Sequence, residues 1–329
     1  MYYEEPYKRK RIKRQPRRRR RTFGGWLAEL CLRLIALLLT VLILSAGLLY
    51  ALPVSLFAVE PPDSDLSLTS GLPSNRANIL LLGLDERHEN TQRSDTVIIA
   101  SIGYGRVKLT SVLRDTVMSI PGHGSGKLNA AYAYGGPELV LKTLNENLKL
   151  NIIHYIAVDY AGLVRVVDAL DGVDLDISEA EMDKINQLIN ARRSRFAALG
   201  YTAPDLAHSG AGTHLNGLQA LTYARIRKLD SDFMRTSRQR ALLQALLARL
   251  RGSLWNPVRL VRLGKAILRS AQTDMSPLEL ISLGEKALAA GAPETMRLPV
   301  DGSYTDDGSS LRVNDMQMNI GQFQTFVYD

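Results

Sequence analysis

From Leu34 to Val59 the chain reads LIALLLTVLILSAGLLYALPVSLFAV, 26 positions without a charged residue. At about 1.5 Å per helical residue, such a run outreaches the roughly 30 Å hydrocarbon core of a bilayer. Glu29 and Arg33 stand just ahead of it, and Trp26 is placed to anchor at the interface. A signal peptide cut near SAG or FAV is the alternative, but the apolar run is longer than a usual h-region. An uncleaved single span over residues 26–59 is therefore the expectation. It divides the chain into a short leading tail and a large following part.

The charge is distributed to match. The formal net charge of +8 invites a nucleic-acid reading. Residues 1–25, however, hold eleven Lys or Arg, mostly in KRKRIKRQPRRRRR, against Glu4 and Glu5. Of 41 basic and 33 acidic residues in all, 29 and 30 lie from Glu60 onward, so the large part is nearly neutral. The positive-inside rule keeps the tail cytoplasmic and puts everything after about residue 60 outside. No helix-turn-helix precedes the span. The arginine-rich tail could bind nucleic acid or anionic lipid weakly, but orienting the span is its expected role, and no nucleic-acid partner is expected. The one cysteine, Cys31, opens the apolar segment. The exported part thus has no disulfide, thiol nucleophile or cysteine metal site.

EPPDSDLSLTSGLPSNRA, Glu60 to Ala77, reads as a linker, and residues 78–329 as one domain large enough to bury a core without staples. NILLLGLD (Asn78–Asp85) is a buried strand, and DTVIIASI and VKLTSVL are an antiparallel pair turned at GYGR. KLNAAYAYGGPELVLKTLNENL is helical from Gly136, NIIHYIAVD a strand, YAGLVRVVDAL a helix and DGVDLDI a strand. SEAEMDKINQLINARRSRFAALG is charged and helical, more a surface elaboration than a core element. NGLQALTYA, RTSRQRALLQALLARLRG, and residues 257–270 and 277–290 supply further helices. Strands alternating with helices predict an α/β fold: a mixed central sheet with helices on both faces, three layers in all.

Polar residues gather where strands end, the usual place for sites in α/β sheets. Asp85 closes the first strand, Arg93 and Asp95 open the next in RSDT, and Arg114 and Asp115 follow the third in LRDT. Farther on, YARIRKLDSDFMRTSRQR (Tyr223–Arg240) holds six Lys or Arg and two Asp in an otherwise neutral domain. In an extended exit from the preceding helix, Arg225 and Arg227 share one side. In the next helix Arg235, Arg238 and Gln239 share a stripe with Leu242 and Leu246. The bland reading is an amphipathic helix with a basic end. The sharper one is a pocket with an anion-binding mouth and an apolar interior, suited to an amphiphile with a phosphate head.

Arginine forks pair with phosphate oxygens and stay charged. Carboxylates beside them suit an anion site only with a cation between, and Mg²⁺ takes one or two carboxylates plus phosphate oxygens and water. The pattern thus points to metal-assisted chemistry on a pyrophosphate. Other chemistries lack their signatures. The five histidines show no metal-ligand spacing, no GxSxG elbow occurs, and GHGSGKL (Gly122–Leu128) is too short for a phosphate loop.

NILLLGLD, RSDTVIIASI, SVLRDT, KLNAAYAYGG, VDALDGVDLDI and LNGLQALTYARIRKLDSDFMRTSRQR, in that order between about Asn78 and Leu250, resemble the LytR–CpsA–Psr family of bacterial membrane-anchored proteins. The resemblance implies a phosphotransferase. It would move a glycopolymer, teichoic acid or capsular polysaccharide, from a polyprenyl pyrophosphate carrier to peptidoglycan, forming a phosphodiester. It also implies roles: Asp95 holding Mg²⁺, Asp85 assisting the metal or acting as base, and Arg93, Arg114, Arg225, Arg227, Arg235 and Gln239 gripping the pyrophosphate. The polyprenyl chain would lie between sheet and helices. Leu113 replaces a frequent Pro, and Ser231 and Met234 stand where Gly is common. A hydrolase of the same donor, a carrier-binding protein and an envelope regulator (the family has carried the label transcriptional attenuator) are the alternatives.

Overall fold

The computed structural model describes residues 65–73, 75–85, 92–226 and 232–329. Among these no helix is long and apolar enough to cross a membrane, and the run Leu34–Val59 lies outside them, as do the basic tail and Cys31. In chain order the first strands are β1 (Ala77–Leu84), β2 (Ser94–Gly103), β3 (Arg106–Val112), β4 (Thr116–Ile120) and β5 (Gly124–Lys127). Then come α1 (Leu128–Leu148), β6 (His154–Val158), α2 (Tyr160–Ala169), β7 (Val173–Ile177), α3 (Glu179–Asn190) and α4 (Arg193–Ala198). The next are β8 (Gly210–Leu215), α5 (Gly217–Ala224), α6 (Asp232–Ser253), α7 (Pro257–Leu268) and β9 (Ala271–Thr273). The last are α8 (Pro277–Ala289), β10 (Glu294–Leu298), β11 (Tyr304–Asp306), β12 (Leu311–Val313) and α9 (Met316–Tyr328).

The central sheet has the order β10-β3-β2-β1-β6-β9. β1 runs antiparallel to β2 and parallel to β6, and β10 runs parallel to β3, so the sheet is mixed, as expected. Side chains alternate across a strand, and β2 is buried without a break from Val97 to Ile102, so both of its faces must be covered. Val97 and Ile99 face a core with Leu80, Leu82, Leu141 and Leu144, closed by Phe323 and Val327 of α9. Ile98, Ala100 and Ile102 face the opposite layer, with Leu243 of α6 and Leu283 and Ala287 of α8. A smaller sheet, β11-β12-β4-β5, and the pair β7-β8 stand beside it. Tyr104 (φ 52°) and Gly105 (φ 66°) make the β2–β3 turn, a left-handed pair that a tight hairpin demands.

Four expectations change. Helix α1 starts at Leu128, ahead of Gly136, and Gly135 and Gly136 (φ 64°) break it before Pro137 restarts it. The earlier turn forms because Leu128 and Ala131 fill the core. Strand β7 pairs with β8 and takes no place in the central sheet. Residues 178–200 are no surface elaboration: Ile185, Ile189 and Phe196 belong to a second core with Val173, Leu175, Leu218 and Leu242. Part of the expected linker also packs, since Leu66 is buried and its carbonyl accepts from Asn145 Nδ2 at 3.0 Å.

Arginines late in α6 hold the layer together. Arg249 donates to the carbonyls of Leu170 and Asp171 after α2, both at 3.2 Å. Arg251 donates to Ala287, Leu288 and Gly291 at the end of α8. These carbonyls lie in the last turn of a helix or just beyond it, where the helix supplies no further N–H, and a cation there also meets the negative helix end.

Candidate functional site

The site forms where β1 ends, β2 begins and α6 starts. A register shift at Gly83/Leu84 offsets the two strands and lets Asp85 turn back on the next loop. Asp85 N donates to Arg93 O at 3.1 Å, and Arg93 N donates to Asp85 Oδ1 at 3.0 Å. Asp85 is 6% exposed, held by the main chain of the residue it faces. The Arg93 side chain stands at the exposed rim.

Asp95 is the hub. Its Oδ1 accepts from Arg114 Nη1 at 3.0 Å, and its Oδ2 lies 3.5 Å from Arg235 Nη2. Arg235 Nη2 also donates to the Asp95 carbonyl at 3.0 Å, and this guanidinium is almost fully buried. Arg114 Nε donates to Asp115 Oδ2 at 3.0 Å, and Lys127 closes the row, 3.4 Å from Asp115. Leu113 needs no proline to fix this loop: its side chain is buried, its N–H donates to Leu298 O at 2.9 Å, and its carbonyl accepts from Thr116 N at 3.1 Å.

Arg225 caps α5 at φ −106°, ψ 1°, so it is not in the extended exit expected of it. Its guanidinium carbon lies 3.9 Å above the ring centre of Tyr160, a cation–π contact. Sequence reasoning passed over Tyr160, the first residue of α2; nothing in VDYAG marks it, because its role comes from α2 meeting α5. Its hydroxyl lies 3.5 Å from Asp95 Oδ2. Burial pushes that phenol above its usual range, with Arg225 opposing and Asp95 reinforcing, so it stays a neutral donor. Arg227, and the turn around Ser231, lie outside the described residues. Arg238 leaves the expected stripe: its Nε donates to Glu181 Oε1 at 2.7 Å.

Asp95, Tyr160, Arg225, Arg235 and Gln239 border a cavity of about 460 Å³. Below them its wall is apolar, with Leu81, Ile98 and Leu109 from the sheet and Leu242, Leu246 and Leu283 from the helices. Gln239, Leu242 and Leu246 follow Arg235 at i+4, i+7 and i+11, one stripe of α6 passing from charge to hydrocarbon. Among the described residues no group of three or more His, Cys, Asp or Glu gathers. Asp85 and Asp95 stand at the paired ends of β1 and β2, where Leu84 faces Ser94, and their oxygens are of the hard kind that Mg²⁺ takes together with phosphate oxygens and water.

A mostly buried arginine–aspartate cluster thus opens on a hydrocarbon-lined chamber within an α/β domain. The LytR_cpsA_psr family model matches residues 60–325, and the chain belongs to that family. It is 31% identical over 255 residues, 73% of this chain and 71% of the relative, to Regulatory protein MsrR of Staphylococcus aureus (strain COL). It is 32% identical over 252 residues, 72% of each chain, to polyisoprenyl-teichoic acid–peptidoglycan teichoic acid transferase TagU of Oceanobacillus iheyensis. The fold matches that of LytR-CPS2A-psr family protein YwtF (TagT) with bound octaprenyl pyrophosphate lipid, at TM-score 0.56 and 22% identity over 81% of this chain and 93% of that one.

Proposed function

We propose that this protein is a Mg²⁺-dependent phosphotransferase that moves a teichoic-acid-type or capsular glycopolymer from a polyprenyl pyrophosphate carrier to peptidoglycan. The observation that carries the proposal is the continuity of the site: arginines at the mouth, hydrocarbon behind them, and the Asp95 carboxylate between them. The TagU relative and the octaprenyl pyrophosphate seen in the YwtF fold support the same pairing of head and tail.

In this reading Arg114, Arg225, Arg235 and Gln239 grip the pyrophosphate from different directions, with Arg93 and Arg227 completing the grip. The polyprenyl chain lies against Leu242 and Leu246. A peptidoglycan sugar hydroxyl attacks the phosphorus that bears the glycan. That forms the new P–O bond, and the P–O bond to polyprenyl phosphate breaks. Asp85, held by the Arg93 N–H, takes the hydroxyl proton or shares the metal with Asp95. Bound there, Mg²⁺ supplies neutralisation of the charge building on the pyrophosphate oxygens. The arginines add fixed positive charge, two of them, Arg114 and Arg235, from largely buried positions. The run Leu34–Val59 would hold the domain outside a bacterial cell membrane, with the basic tail in the cytoplasm.

The test is an assay of the purified protein with a polyprenyl pyrophosphate-linked saccharide and uncrosslinked peptidoglycan, with and without Mg²⁺. Joined product and released polyprenyl phosphate are both followed. Joined product that requires Mg²⁺ is expected. Release without joining, across several acceptors, would make the protein a hydrolase, and binding without turnover would make it a carrier-binding protein.

Tyr160 gives a sharper check. Tyr160→Leu removes the ring under Arg225 and should weaken binding of a short prenyl pyrophosphate about 2- to 30-fold, whereas Tyr160→Phe keeps the ring and most of the affinity. Isothermal titration of both variants reads the difference.

A further inference from the structure

The helices that wall the chamber carry an apolar outer surface that no element among the described residues covers. Trp255, in the turn between α6 and α7, is 94% exposed, Val258 64% and Val261 58%. On α8, Leu278 is 61% exposed and Ile281 51%. Scattered single apolar residues at a surface are ordinary; four of these lie on two helices that flank one cavity, and Trp255 stands in the turn just before the first. Lys265 and Arg269 are exposed among them, as is Arg262, which pairs with Asp171 at 2.9 Å, and Val258, Val261, Arg262 and Lys265 recur at i, i+3, i+4 and i+7 on one face of α7. Residues 257–269 contain four basic residues and no acidic one.

We propose that α7, Trp255 and the outer edge of α8 dock on the surface of an anionic lipid bilayer. An exposed tryptophan, an aliphatic ridge and interleaved Lys/Arg on one helix face match the interfacial region, where rings and aliphatic side chains sink to headgroup depth and cations meet lipid phosphates. A second copy of the chain fits worse, because two-fold pairing of this face would set like charges, Lys265 and Arg269, against each other.

Two further observations favour the bilayer. The same helices line the chamber from within, through Ile267 of α7 and Leu280 and Leu283 of α8, so docking here brings the chamber wall to the hydrocarbon boundary. Chain length is also suitable. Six residues separate Val59, the end of the uncharged run, from Leu66, which is already buried in the fold. Fully extended, that stretch reaches about 25 Å, which holds the domain near whatever the run is embedded in. The proposal extends the lipid-carrier reading of the chamber, but its readout does not depend on transfer.

Trp26 and Trp255 are the two tryptophans of the chain, so Trp26→Phe leaves Trp255 as the sole reporter. The full chain is reconstituted in vesicles of phosphatidylcholine alone or of equimolar phosphatidylcholine and phosphatidylglycerol, with and without brominated acyl chains. In the anionic vesicles Trp255 emission should shift to the blue and lose most of its intensity to the bromines. Lys265→Glu with Arg269→Glu should reverse both changes without altering the circular dichroism spectrum. Emission that stays red and open to aqueous acrylamide in both lipids would overturn the proposal. Protection from acrylamide without bromine quenching would overturn it too, in favour of a protein partner such as a second copy. Binding of a prenyl pyrophosphate to the wild-type chain in detergent separates the two ideas. If that binding is absent, the carrier reading fails while the docking result stands on its own.

Discussion

Asp95→Asn should lower transfer by about 10³-fold while leaving donor binding intact or stronger. The amide keeps an oxygen where Oδ1 now accepts from Arg114 at 3.0 Å, so the loop has no reason to move. Only the charge is lost. With it goes the carboxylate proposed to hold Mg²⁺, and two guanidiniums lose their shared counter-charge, which makes the mouth more attractive to an anion. Arg114→Ala should show the opposite split: weaker donor binding together with lost turnover. The variants would be compared by titration with a prenyl pyrophosphate and by single-turnover release of polyprenyl phosphate. Full activity in Asp95→Asn would remove this residue from the site. An equal loss of binding in both variants would show that Asp95 serves only to place the arginines. The thermal transition should fall modestly in Asp95→Asn, since Arg235 retains the Asp95 carbonyl at 3.0 Å.

Much of this site is legible in the chain because its parts sit beside strong local signals. Asp85 ends the apolar run NILLLGLD, Asp95 opens DTVIIASI, and a buried strand fixes the depth of its end residues whatever the rest of the fold does. Arg235, Gln239, Leu242 and Leu246 follow from helical spacing alone, and the chamber stripe confirms the period. What the sequence hides are choices made by tertiary neighbours. Arg235 and Arg238 lie three apart on one helix with the same chemistry, yet Arg235 turns to Asp95 and Arg238 to Glu181, a residue 57 positions away. Tyr160 looks like an ordinary first residue of a helix until Arg225 is laid on its ring. The helix α3 reads as a solvated, charged segment because polar residues outnumber its apolar ones, although Met182, Ile185, Leu188 and Ile189 recur at i, i+3, i+6 and i+7 and all pack on the second core.

The same misread helix leads to the largest expected effect on stability. Arg238 is 4% exposed, and the side chain of Glu181 14%, so their 2.7 Å contact is a nearly dry ion pair. Glu181 does a second job: its Oε2 accepts from the Ser178 N–H at 2.9 Å, closing the capping box that starts α3. The phenol of Tyr223 adjoins both residues, and burial pushes it up to about 12, with Glu181 adding to the rise. Arg238→Met would leave a carboxylate buried without its cation, which should cost about 3–5 kcal/mol. Adding Glu181→Gln removes the stranded charge but keeps an oxygen for Ser178, so the double variant should recover most of that loss. Urea unfolding of the two single variants and the double variant measures the coupling. A loss below about 0.5 kcal/mol in Arg238→Met would mean that water reaches the pair and that the second core is tied to α6 by packing alone. A full loss would mean that the helix presenting Arg235 and Gln239 to the cavity is held in place from behind, by a charge that does not line it.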